Sequence, residues 1–257
     1  MILETATQRD DDWYAARCGK ATASRFKDAM ATLKNGQPAQ AAKDYLTELV
    51  VERLTGQPVQ KFTTAAMQWG TEQEAAARAA YEARTGIEVE ETGFVAHDTL
   101  YAGCSPDGLV DWDGLIEIKC PYNTGVHIET LLNGMSADHM PQVQGQMWIT
   151  GKQWCDFVSY DPRMPEPLQL YVQRITRDAA FVADLESRIT SFLSEVGSKV
   201  EALRRLAHRR RRAAPRHAAV RHHPGHARRH HLADGIGCHG GNRGPARSRA
   251  GRSRWPD

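Results

Sequence analysis

The chain has no CxxC pair, no run of about eighteen apolar residues, no internal repeat and, over its last 54 residues, no lysine. Each absence excludes something. Five cysteines (Cys18, Cys104, Cys120, Cys155 and Cys238) make an odd set without paired spacing, which argues against a disulfide framework or a zinc ribbon and for a reducing compartment. Without a long apolar run, no segment is suited to cross a bilayer as a helix. Nor does any apolar stretch near residue 1 have the make-up of a signal peptide. The expectation is a soluble, cytoplasmic protein without a membrane role.

Charge is nearly balanced overall, with 33 Lys and Arg against 31 Asp and Glu, but it is unevenly placed. Residues 204–257 carry 15 Arg, two acids and eight of the eleven histidines, a net of +13. Residues 1–203 hold 18 basic and 29 acidic residues, a net of −11. The two parts read as separate objects: a folded domain over 1–203 and an Arg/His-rich tail over 204–257. The tail has almost no aliphatic periodicity and cannot bury enough apolar surface to offset ordering entropy, so disorder is expected there. Its Lys-free, Arg-rich composition also fits translation out of an ancestral reading frame, which sequencing the gene would test.

Within the body, Asp10-Asp11-Asp12 suits a helix start before Trp13–Arg17. Thr22-Ala23-Ser24 predicts a second helix reaching about Met30, with either hydroxyl as cap. Apolar spacing predicts helices over 39–55 and 64–85, each stopped by a glycine (Gly56, Gly86). Strands are expected near 87–95, and a hairpin over 109–118 turns at Asp111-Trp112-Asp113-Gly114. Further helices are expected over 123–133 and from Pro141 to Thr150. Strands at 156–160 and 168–172 follow, then an amphipathic helix from Asp178 to about Leu203. Helices, then strands with an embedded helix, then a helix make a mixed α+β fold.

The chemistry concentrates at Asp107, in Ser105-Pro106-Asp107-Gly108, and at Glu117-Ile118-Lys119. Side chains two apart on a strand share a face, so Glu117 and Lys119 point together from an otherwise apolar run. Two carboxylates and the Ile118 carbonyl form an oxygen set suited to Mg²⁺, which needs only one or two protein carboxylates beside substrate phosphate. An adjacent lysine can orient water and stabilise the charge that develops on a phosphoryl group.

Those residues resemble the PD-(D/E)xK nuclease superfamily. More closely, they resemble its phage lambda exonuclease-like branch, the YqaJ-type viral recombinase or alkaline exonuclease family. The ordered stretches Asp11-Asp12-Trp13, Thr22-Ala23-Ser24, Trp69-Gly70 with Glu74, Gln142-Val143-Gln144 and Tyr160-Asp161-Pro162-Arg163 extend that likeness over roughly residues 8–200. The resemblance implies a restriction-endonuclease-like core with a central mixed sheet flanked by helices. It implies that Asp107, Glu117 and the Ile118 carbonyl bind metal, with Glu74 completing the site through water or a second metal. Lys119 is then the catalytic lysine, and Gln142 orients it or the water. Arg17, Thr22, Ser24 and Ser105 match a pocket for a 5′-phosphate. By the same likeness the protein is a Mg²⁺-dependent (Mn²⁺ as substitute) 5′→3′ exonuclease on ends of double-stranded DNA, leaving a 3′ single strand. It would form a homotrimeric ring and work with a single-strand annealing recombinase in a phage or prophage setting. Two rivals stay open on the residues alone: a structure-selective or site-specific endonuclease, and a non-enzymatic nucleic-acid binder acting through its tail. The aromatics Trp13, Trp69 and Trp148 are read as core, and His97, His127 and His139 show no ligand spacing.

Overall fold

The structure, a computed structural model, describes residues 2–4, 8, 10–59 and 62–213. A short strand β1 (Ile2–Glu4) precedes helix α1 (Asp11–Arg17). Asp10 caps α1 by accepting the Trp13 backbone N–H at 2.7 Å. Strand β2 (Ala21–Thr22) runs into a 3-10 turn (Ala23–Arg25) and the one-turn helix α2 (Phe26–Ala29). The single capped helix expected here is therefore broken. Thr22 makes no capping bond; its hydroxyl lies 3.3 Å from that of Ser24. Helices α3 (Gln40–Thr55) and α4 (Ala65–Thr85) both end as expected, at Gly56 and Gly86 in the left-handed region.

Five strands follow: β3 (Val89–Glu90), β4 (Phe94–Ala96), β5 (Ala102–Cys104), β6 (Gly108–Val110) and β7 (Gly114–Lys119). After them come α5 (Thr124–Asn133), α6 (Met140–Thr150), β8 (Trp154–Tyr160), β9 (Leu170–Thr176) and α7 (Ala179–Ala213). The last strand starts later than the alternation at Leu168 predicts. Glu166–Leu168 forms a 3-10 turn with Pro167 inside it, and pairing begins only where Leu170 meets Tyr160.

The strands form two sheets. The larger is mixed, in the order β3-β6-β7-β8-β9, with β7 and β8 parallel and the other pairs antiparallel. The smaller, in the order β1-β4-β5-β2, is built from strands of two or three residues that the sequence reading does not anticipate as a separate layer.

Strand β7 sets the arrangement. Its residues Ile116 and Ile118, with Cys120 just past its end, face α4 and pack with Ala77 and Tyr81. Leu115 faces α6, packing with Val143 and Met147. Helix α6 is buried along Val143–Thr150 because its other side, through Trp148 and Ile149, packs on α3, α7 and the smaller sheet. A helix covered on opposite sides needs apolar residues all round, and α6 has them except at its glutamines and Thr150.

The closing helix buries Leu185, Ile189, Phe192, Leu193 and Val196, as its periodicity predicts. It does not stop at Leu203 but continues to Ala213, so residues 204–213, assigned to the tail from sequence, are helical. The remaining tail, 214–257, with Cys238, lies outside the described residues, as does the disorder expected of it. Of the described residues, no helix is long and apolar enough to cross a membrane.

Candidate active site

The site forms where β6 begins and β7 ends. Asp107 precedes β6, and its Oδ2 accepts the Ile118 backbone N–H at 2.6 Å, while its own N–H donates to the Ile116 carbonyl at 3.2 Å. A strand residue's N–H and C=O point to the same side. The Ile118 carbonyl therefore also faces the Asp107 edge, beyond the last β6 pair, Gly108 with Ile116.

Glu117 projects from β7 toward α6 and is 2% exposed. Its Oε1 accepts bonds from the Lys119 ammonium and from Gln142 Nε2, the latter at 2.6 Å. Its Oε2 accepts from Gln146 Nε2 at 2.6 Å. Lys119 also donates to Gln142 Oε1 at 3.2 Å. Gln142 thus bridges the carboxylate and the ammonium. Gln146, one helical turn further on, holds the other carboxylate oxygen. The sequence reading missed Gln146, although its spacing of four from Gln142 puts both on one face of α6.

Glu74 approaches from α4. Gly70, Glu74, Ala77 and Tyr81 recur at spacings of four, three and four, so they form one stripe on the sheet side of that helix. Ala77 and Tyr81 are buried against β7, and the Glu74 side chain is 15% exposed. Arg78 Nη2 lies 3.4 Å from Glu74 Oε1.

Negative charge exceeds positive charge here. Burial, and then the Glu117 and Glu74 carboxylates, push the Asp107 pKa well above the ordinary carboxylate range, with Lys119 and the Ile118 N–H pulling the other way. Burial works against the Lys119 ammonium, but Glu117 and Asp107 outweigh it and raise its pKa. Burial, Glu74 and Asp107 push the Cys120 thiol up to about 12. Among the described residues no three His, Cys, Asp or Glu side chains converge as a metal cluster. Two carboxylates and a carbonyl with excess negative charge nevertheless form a donor set that fits a hard divalent cation completed by water and substrate.

The second predicted group lies at the ends of two adjacent parallel strands. Thr22 on β2 pairs with Gly103 on β5, so Ser24 and Ser105 both lie just past that pair. Arg17 Nη1 donates to Ser105 Oγ at 3.0 Å, and Trp13 Nε1 donates to the same oxygen at 3.0 Å. The Arg17 guanidinium carbon sits 4.1 Å from the Trp13 ring centre, and burial lowers its pKa. No described carboxylate lies within ion-pair distance of Arg17. The Arg17–Ser105 and Thr22–Ser24 pairs lie at one sheet end, without a hydrogen bond between them. Trp13 packs on Ala16 and Phe94, as a core reading expects, but its indole also fixes Ser105. Ser105 is two residues from Asp107, which puts the two groups side by side.

A family model for the YqaJ-like viral recombinase domain matches residues 12–153, more than half of the chain. The structure is similar to an alkaline exonuclease (LHK-Exo) from Laribacter hongkongensis, with 46% identity and a TM-score of 0.72 over 78% of this chain and 99% of that one. The same figures hold for LHK-Exo in complex with dAMP. A phage related exonuclease from Haemophilus somnus 129PT is similar in fold, with 18% identity and a TM-score of 0.59 over 72% of this chain and 96% of that one. Among curated proteins nothing matches.

Proposed function

The chain belongs to the YqaJ-like viral recombinase family, and from that premise we propose that it is a divalent-metal-dependent exonuclease. It hydrolyses one strand of linear duplex DNA from the 5′ end and leaves a 3′ single strand for recombination. The observation that carries this reading is the junction of Asp107, Glu117, Lys119 and Gln142 through the bonds at the β6–β7 edge.

Asp107, Glu117 and the Ile118 carbonyl would hold Mg²⁺, or Mn²⁺ in its place, with Glu74 joining through water. The bound ion supplies Lewis acidity at the phosphoryl oxygens and a lowered pKa for the attacking water. Lys119 is kept protonated by Glu117 and Asp107, so it acts as a donor: it orients the attacking water and stabilises charge on the phosphoryl oxygens. Gln142 fixes the direction of that ammonium, and Gln146 fixes the carboxylate. Arg17 and Ser105 bind the terminal 5′-phosphate, with the Thr22 and Ser24 hydroxyls at the pocket's far side. A guanidinium already seated on a hydroxyl and a ring pays little ordering entropy on binding an anion. A phosphate held there places the next phosphodiester toward Asp107, which gives 5′→3′ polarity.

The net charge of −11 over residues 1–203 is unsuited to holding DNA by bulk attraction. A homotrimeric ring enclosing the duplex would retain it by topology, and a single-strand annealing protein would take the exposed 3′ strand in the cytoplasm of a phage-bearing host. The test is digestion of linear duplexes bearing 5′-phosphate or 5′-hydroxyl, alongside covalently closed circles, in Mg²⁺ and in chelator. Mononucleotide release from 5′-phosphorylated ends in Mg²⁺ alone is expected. Cleavage of closed circles, or activity in chelator, would overturn the reading.

A further inference from the structure

Beyond Val200, which is 4% exposed, every residue of α7 up to Arg212 is exposed, so no packed face supports this last stretch of helix. It carries Arg204, Arg205 and the run Arg209–Arg212, with His208 between them. At 100° per residue, all of these except Arg210 fall on an arc of roughly 160°. Arg204 pairs with Glu201 at 3.0 Å; among the described residues the other five arginines have no carboxylate within ion-pair distance. Like charges spaced three or four apart on a helix each cost about 0.2–0.5 kcal/mol. The helix dipole favours cations only in the last turn, where Arg210–Arg212 lie. Arg204, Arg205 and Arg209 lie before it. The stripe is costly for the isolated chain and suits a polyanion.

We propose that residues 204–212 are a second DNA contact, a helical basic stripe that binds the phosphate backbone of the duplex behind the terminal 5′-phosphate. It rests on the exonuclease reading and extends it to substrate lying outside the cleavage site. Three observations favour DNA. Guanidinium groups match phosphate with paired N–H bonds. The only aliphatic residues in the stretch are Leu206 and Ala207, so the apolar half that a membrane-lying helix needs is missing. The stripe is also rooted beside the candidate phosphate pocket: Arg204 donates to the Arg53 carbonyl at 3.4 Å, Arg53 Nε donates to the Gly19 carbonyl at 2.7 Å, and Gly19 is two residues from Arg17. Nine helical residues span about 13 Å, over which a duplex presents roughly eight phosphate charges.

The experiment uses the full chain in chelator, where no cleavage occurs, and measures affinity for a blunt duplex of about 30 base pairs across salt concentration. Each neutralised phosphate contributes about 0.9 to the slope of log K against log salt. Replacing Arg205, Arg209, Arg211 and Arg212 together by Gln should reduce that slope by up to about 3.6, and replacing the same four by Lys should keep it. Both variants should still release mononucleotides from duplex ends once Mg²⁺ is restored, because none of these residues lies at the cleavage site. A slope unchanged by the Gln set overturns the proposal. So does loss of binding to phosphatidylserine–phosphatidylcholine vesicles with an unchanged DNA slope. A chain that cleaves nothing but shows the reduced slope faults the exonuclease reading and leaves this surface standing. One that digests duplex ends and keeps its slope does the reverse.

Discussion

Gln146 is the residue whose role separates activity from stability most cleanly. Its Nε2 holds Glu117 Oε2, while its own Oε1 is buried without a hydrogen-bond partner among the described residues. In Gln146→Leu a buried carboxylate oxygen loses its donor, which costs about 1–3 kcal/mol. The same change removes a buried unsatisfied carbonyl of comparable cost. Net stability should therefore stay within about 1 kcal/mol of the parent in urea unfolding. Catalysis has no such offset. A Glu117 free to rotate weakens the alignment of Lys119 and of any cation held at the β6–β7 edge, and loss of an outer partner of that kind typically lowers metal affinity or activity 10–100-fold. The rate should drop by that order, and the divalent-ion concentration for half-maximal rate should rise. A variant that unfolds at the parental urea concentration and also cleaves at the parental rate, with the same metal dependence, would remove Gln146 from the site.

At the scale of elements, α6 positions both glutamines, and it is held by contact on its far side. Gly145 lies there, and a Cβ at that position would stand 2.5 and 2.7 Å from Cδ2 and Cε2 of Phe26, which is fully buried. Alanine gains about 1 kcal/mol of helix propensity over glycine. Forcing a side chain into a filled core costs typically 1–3 kcal/mol, and the buried Phe26 ring has little room to retreat, so the clash should win. Gly145→Ala should lower the thermal midpoint, and it should also reduce activity because α6 must shift away from Phe26 on α2, carrying Gln142 and Gln146 with it. A midpoint raised by the substitution would refute that account.

A second element-scale link joins the end of β7 to the turn after β8. Asp161 is fully buried and accepts from the Arg163 side chain at 2.7 and 2.8 Å and from its backbone N–H at 3.0 Å; Arg163 in turn donates to the Pro121 and Tyr122 carbonyls, two and three residues past Lys119. The Arg163 bonds outweigh burial and lower the Asp161 pKa to about 2. A folded pKa below the unfolded value means the stabilisation is complete above about pH 4 and disappears as pH falls through about 2. Arg163 is partly exposed, so its share is reduced by solvent screening, and about 1–2 kcal/mol is expected at pH 7. Asp161→Asn should be destabilised by that amount at pH 7 and should converge with the parent near pH 2 in urea titrations. A gap that is the same at both pH values would point to packing rather than charge.

Legibility in the sequence followed the same physics. The hairpin with Glu117 and Lys119 was readable because turn residues and a period of two coincide there. Glu74 was readable only through the family resemblance, because the alanine-rich surroundings of the Gly70–Ala77–Tyr81 stripe obscure the contrast between faces. The smaller sheet escaped because strands of two or three residues are shorter than any periodicity. The helix end at Leu203 was placed where apolar spacing stops, yet arginine is a good helix former and carries the helix on to Ala213 without a buried face.

At the scale of the whole molecule, the described residues complete their core before the composition changes. Every described buried residue lies at or before Val200. Residues 214–257 contribute nine arginines and two acids, so removing them takes the formal net charge from +2 to −5. If the fold draws its stability from the core closed by α7, a chain ending at Ala213 should unfold within about 2 °C of the parent. It should still digest a short 5′-phosphorylated duplex at low salt, because the β6–β7 edge, the Arg17–Ser105 pair and the arginines of 204–212 are all retained. Long duplex at moderate salt is the more demanding case, since the shortened chain gives up nine positive charges that could meet phosphate. Thermal unfolding and digestion of both substrates separate these contributions. A shortened chain that stays folded but cannot digest even the short duplex would make residues 214–257 part of the catalytic apparatus; one that unfolds would make them part of the core.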